Sequence, residues 1–139
     1  MSKSVLSAGQ MVRDALLADA EIQAAVGTNI FPLAAPNGTK GDYILYARED
    51  GGEEPGQMGN TEETATVTLN VNSVDYDRGL EIAEMVRRVL MTLRKGRYGC
   101  KRGHDREDVA GLTDKGQLVY TQILEYEFSD TLIARGLIG

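Results

Sequence analysis

Thr64-Ala65-Thr66-Val67-Thr68-Leu69-Asn70-Val71-Asn72, with the long stretch from Tyr76 to Arg94 that follows it, carries the strongest periodic signal in the chain. In the first segment Val67, Leu69 and Val71 alternate with Thr66, Thr68 and Asn70. Alternation with a period of two sends successive side chains to opposite faces, so this is a half-buried strand. Its polar side carries hydroxyls and amides, not charges. In the second segment Ile82, Ala83, Val86, Val89, Leu90 and Leu93 recur at helical spacing. They form one apolar stripe on a helix roughly 28 Å long at the usual rise per residue. Ser73 or Asp75 supplies its N-cap.

Working outward, Ala8, Met11, Val12, Ala15 and Leu16 share one face of an N-terminal helix that Ser7 caps. Asp19 caps a short second turn through Glu21, Ile22 and Val26, and Gly27 stands where a left-handed residue closes a helix. Ile30-Phe31-Pro32 is a short apolar stub, and residues 34–41 read as loop from Pro36, Asn37, Gly38 and Gly41. Residues 42–48 form a strand rich in aromatic and β-branched side chains. On the C-terminal side, residues 96–103 read as a glycine-punctuated basic loop and 104–112 as an irregular strand. Asp114-Lys115-Gly116 is a turn, and residues 117–129 form another alternating strand. Leu118, Tyr120, Leu124, Tyr126 and Phe128 take one face of that strand. Val119 and Ile123 fall on the other, which is therefore expected to be partly covered. Trp is absent and Phe appears twice against six Tyr, which predicts an aliphatic core with tyrosines at its edges.

The length is that of one domain, taken as 1–139 with its core at about 8–128 and a loose tail at 129–139. No apolar run approaches the roughly 20 residues that span a bilayer, and residues 1–7 have no signal-peptide core. The net charge of −6 argues against a general nucleic-acid binder. It conceals an asymmetry. Glu49, Asp50, Glu53, Glu54, Glu62 and Glu63 lie in a segment without a base, whereas Arg87, Arg88, Arg94, Lys95, Arg97, Lys101, Arg102 and Arg106 gather eight of the fifteen cations. The acidic segment 49–63, rich in Gly, is expected to be a loop that moves in an isolated subunit. These fourteen residues are the candidate contacts between subunits, acidic segment against basic patch, or with a tail tube. Two solvated faces are the plainer account of the same charges, and helix chemistry explains Arg94 and Lys95, which stand at the negative end of a helix dipole.

Chemical machinery is missing. His104 is the single histidine, and although Asp105 and Asp108 adjoin it, the acid spacing does not match a calcium loop. Gly38-Thr39-Lys40-Gly41 has the wrong order for a phosphate-binding loop. Cys100 lies among Arg97, Lys101, Arg102 and His104, which favour a thiolate, but no base and orienting group accompany it. The sequence therefore predicts no enzyme, no cofactor and no metal.

In order, Leu16-Leu17-Ala18-Asp19, Ile22, Val26-Gly27-Thr28-Asn29-Ile30-Phe31-Pro32, Asp42-Tyr43-Ile44-Leu45-Tyr46, Val67-Thr68-Leu69-Asn70-Val71, Asp75-Tyr76-Asp77 and Leu124-Glu125-Tyr126-Glu127-Phe128 resemble the tail-completion, or tail-to-head joining, family of siphophages and prophages. The family is similar in role to the tail terminators of other long-tailed phages. Asp42 departs from it, standing where many members have proline, and the segments 49–63 and 94–106 look long. The resemblance implies an α+β subunit: an antiparallel sheet of about four strands, a long helix packed on one face and an N-terminal helix. It further implies a hexameric ring that caps the tail tube, ends tail polymerisation and offers a surface to the head-completion or connector protein. The protein would reside in the virion tail, and in the host cytoplasm during assembly. A neck or head-completion protein, or a tail-tube subunit, is the alternative. A nucleic-acid-binding module ranks lower.

Overall fold

A computed structural model describes the backbone of residues 5–55, 61–95 and 100–129, and the side chains of these apart from 5, 50–55, 61–63, 94 and 95. After a 3-10 turn (Val5–Ser7) come α1 (Ala8–Leu17), α2 (Ala20–Val26), β1 (Ile30–Pro32), β2 (Tyr43–Pro55), β3 (Thr61–Ser73), α3 (Tyr76–Lys95), β4 (Cys100–Arg102), β5 (Arg106–Leu112) and β6 (Leu118–Ser129). Arg97 and the tail beyond Ser129 lie outside the described residues.

The α+β class holds, but the sheet is larger and more mixed than four antiparallel strands. Six strands run in the order β1-β2-β3-β6-β4, with β5 also pairing β6. β1 is parallel to β2, Phe31 standing opposite Leu45, while every other pairing is antiparallel. The stub at Ile30–Pro32 is thus a strand, and residues 100–102, expected as loop, are another. A larger correction concerns the acidic segment. Residues 49–55 continue β2 and residues 61–63 open β3, so the expected loop is mostly a ladder with one register shift between Asp50 and Gly52.

The helices cover one face only. Ala8, Val12 and Leu16 of α1, Ile22 and Val26 of α2, and Ile82, Val86, Val89 and Leu90 of α3 are buried. They lie in one cluster with Ile44 and Tyr46 of β2, Val67, Leu69 and Val71 of β3, and Leu124, Tyr126 and Phe128 of β6. The aromatic expectation is corrected here: Tyr126 and Phe128 are fully buried at the centre of the core. The opposite, helix-free face carries the Thr and Asn side chains of β3. At its centre Asn72, Thr121 and Ile123 are buried all the same, so the partial covering expected for β6 is real. Leu118, by contrast, stays 45 % exposed, because the β5–β6 hairpin runs on past the helices.

Local chemistry sets the element ends. The Asp19 carboxylate accepts a hydrogen bond from the Ile22 amide at 3.1 Å, the expected N-cap of α2. Gly27 closes that helix at φ 61°, a region that penalises any Cβ. Of the two candidate caps for α3, Asp75 does the capping. It accepts from the Arg78 amide at 3.1 Å, while the Ser73 hydroxyl accepts from the Asp75 amide at 3.1 Å. Ser7 occupies the N-cap position of α1 but makes no side-chain cap. Gly103 lets the chain between β4 and β5 lie against β6: its amide donates to the Glu125 carbonyl at 2.7 Å, and an added Cβ would sit 3.0 Å from the Glu125 Cβ.

Candidate subunit interface

The sheet has two long borders, and the charged residues singled out in the sequence divide between them. Along one border, β1 pairs β2 only at Ile44–Tyr46. Past Tyr46 no strand among the described residues covers the outer edge of β2, and this stretch carries Glu49, Asp50, Glu53 and Glu54. Across the ladder Glu53 stands opposite Glu63, and Glu54 opposite Glu62. Like charges at directly opposed positions destabilise an antiparallel pair.

The basic residues whose side chains are described do not gather into one patch. On α3, Arg88 turns toward α2 and donates from Nη2 to Asp19 Oδ2 at 2.9 Å, with Glu21 at 3.6 Å. The guanidinium, with the Ile22 amide, holds the Asp19 carboxyl below its ordinary range. Arg87 reaches Glu84 at 3.9 Å and helps line a shallow depression with Arg88, Met91 and Thr92. At the far border of the sheet, Arg102 donates from Nε to Asp105 at 2.9 Å, and Arg106 pairs with Glu125 at 3.3 Å. Lys101, which precedes Arg102 on β4, is exposed and has no ion partner among the described residues. The structure therefore commits Arg88, Arg102 and Arg106 to this chain's own acids and leaves Lys101 to others.

The sequence reading missed a tie between β5 and α3. The Tyr76 hydroxyl donates to Glu107 Oε1 at 2.7 Å, Gln122 Nε2 donates to the same oxygen at 3.1 Å, and the Tyr76 and Tyr120 rings meet edge to face at 5.5 Å. The hydroxyl, followed by the Gln122 amide, holds the Glu107 carboxyl below its ordinary range. No sequence signal announces a bond across 31 residues. Nor did sequence spacing announce that Cys100 is buried against the core, opposite Phe128, rather than presented as a reactive thiol. The Tyr126 hydroxyl is buried with no protein hydrogen-bond partner among the described residues, and burial raises its pKa. Among the described residues no group of three or more His, Cys, Asp or Glu could hold a metal ion, and no helix is long and apolar enough to cross a membrane.

With this geometry in hand, comparison with known proteins is informative. The family model of tail completion protein gp17 matches residues 10–123, most of the chain. The protein belongs to that family. Family membership makes it a phage tail structural protein. Among solved structures, a chain from the virion of a native gene transfer agent particle superposes with a TM-score of 0.67 at 16 % identity. The alignment covers 91 % of this chain and 95 % of that one, which establishes a common fold. No curated protein sequence matches.

Proposed function

We propose that this tail-completion protein forms a ring, of six copies, that caps the finished tail tube, stops its polymerisation and supplies the surface that the head-completion or connector protein meets. Family membership carries this reading. The fold supports it physically. A cyclic ring needs two different, mutually complementary surfaces on each subunit, and this sheet has an acidic border and, opposite it, an edge with an uncommitted lysine. The role needs no catalytic residues, cofactor or metal.

Electron microscopy of the purified protein mixed with tail tubes tests the proposal. Single rings on tube ends, with tube lengthening stopped, are the expected result. Extended tubes made of this protein alone would show a tube subunit in its place, and binding to head connectors without tubes would show a neck component. The acidic segment 49–63 is proposed as the contact toward the next subunit or the tube. If so, assembly followed by light scattering weakens as salt rises, since exposed pairs are screened over about 8 Å at physiological ionic strength. Assembly indifferent to salt removes the electrostatic part. Nucleic-acid binding is disfavoured by the intramolecular engagement of Arg88, Arg102 and Arg106.

A further inference from the structure

Where α3 meets the connection between β4 and β5, the protein buries polar atoms that its own side chains do not satisfy. Three of them are the Tyr126 hydroxyl of β6, Oδ1 of Asp105 in that connection, and Nε of Arg87 on α3. Each is buried without a hydrogen-bond partner among the described residues. Thr121 Oγ1 is another such atom, but Thr121 belongs to the helix-free face and lies apart from the rest.

Strand register brings the three groups to one place. Arg102 stands opposite Tyr126, and directly opposed residues of an antiparallel pair share a face. Tyr126 belongs to the core beneath the helices, so Arg102 leaves β4 on the side where α3 lies. The Arg102 guanidinium holds Oδ2 of Asp105 at 2.9 Å, which brings that carboxylate to the same side and leaves Oδ1 over. From α3, Arg87 reaches Glu84 only at 3.9 Å, through Nη1, and its Nε stays unpaired. The Tyr126 hydroxyl lies within the influence of all these groups. Burial raises its pKa most, the Asp105 charge raises it further, and Arg102 and Arg87 act the other way.

The three atoms form a complementary set. Arg87 Nε–H only donates, an ionised Asp105 oxygen only accepts, and the Tyr126 hydroxyl does both. Yet none of them bonds another. An unpaired polar atom in the interior is costly, and nearly all such atoms are partnered by protein or by solvent. One water molecule can accept from Arg87, donate to Asp105 and meet the hydroxyl, and about three bonds is what a buried water ordinarily makes. We propose that a buried water bridges the Tyr126 hydroxyl, Asp105 Oδ1 and Arg87 Nε. It fastens α3 to the β4–β5 connection through a polar contact, separate from the aliphatic core.

The sign of one substitution separates a bridged hydroxyl from an orphaned one. Tyr126→Phe keeps the ring and removes only the hydroxyl. With the bridge, urea unfolding should give a folding equilibrium constant lower by roughly fivefold, the net worth of one hydrogen bond. A constant that is unchanged or higher means that the hydroxyl is unpaired in the folded chain, and overturns the proposal. A second arm repeats the substitution in an Asp105→Ala background. The Arg102–Asp105 pair is lost from both members of that comparison and cancels, so the effect of Tyr126→Phe should largely vanish there. Equal effects in the two backgrounds overturn the bridge. A crystal structure of the unmodified protein then distinguishes solvent from a direct bond. An ordered water within about 3 Å of all three atoms is expected, and a direct hydrogen bond from Tyr126 to Asp105 overturns the assignment.

Discussion

Asp19 joins two interactions in one carboxylate, and its replacement therefore has a composite effect. It caps α2 and holds Arg88 of α3, so the second helix is fastened to the third through a single side chain. Losing an N-cap costs about 1 kcal/mol on its own. Asp19→Ala should lower stability by roughly that amount or somewhat more, measured by denaturant unfolding at neutral pH. The folded state holds this carboxyl below its ordinary range, so its contribution is complete above the unfolded-state pKa and disappears as pH falls through the folded-state one. The wild type should lose stability through that acid window more steeply than the variant. Tyr76→Phe is the finer probe. It keeps the ring against Tyr120 and removes only the hydroxyl from Glu107. The Glu107 carboxyl should then titrate at higher pH, followed by NMR, and the amides of β5 should exchange faster.

At the scale of elements, the parts legible in the sequence were those long enough to show a period. The stripes of α1 and α3 and the alternation of Val67, Leu69 and Val71 each repeat several times, and all of those side chains are buried or partly buried. Three residues cannot show a period, which is why β1 passed as a stub and β4 as loop. The β2–β3 arm misled for another reason. Its Gly and acid composition argues for loop, but a ladder is made by backbone groups, and β3 supplies a partner for every β2 residue except Gly51, as far as Thr61. That ladder survives with glutamates opposed at two successive positions, which leads to a directional prediction. Glu53→Lys should raise the stability of the isolated subunit by a few tenths of a kcal/mol, read from the unfolding midpoint, because it turns one repulsive pair into an attractive one. The same change should weaken assembly if the acidic arm meets a neighbour or the tube. Of the fourteen candidate residues, the charge asymmetry was legible, but its division was not. Which cations are spent inside the chain depends on contacts such as Arg88 with Asp19, distant in sequence and close only after folding.

For the whole molecule, the consequential feature is that among the described residues the sheet closes on neither side. If a neighbouring copy or the tube binds these borders, it stabilises the folded chain by mass action, as does anything that binds only the folded form. The melting temperature of this protein should therefore depend on its own concentration, rising as copies associate, and rise again when tube ends are supplied. A scan by calorimetry over a hundredfold range of concentration would show this directly, and a midpoint that does not move would mean the borders stay vacant in solution. Heat resistance, in that case, would belong to the finished particle and not to the polypeptide. If the proposed assembly holds, the subunit would be weakest when free and would harden as it is installed.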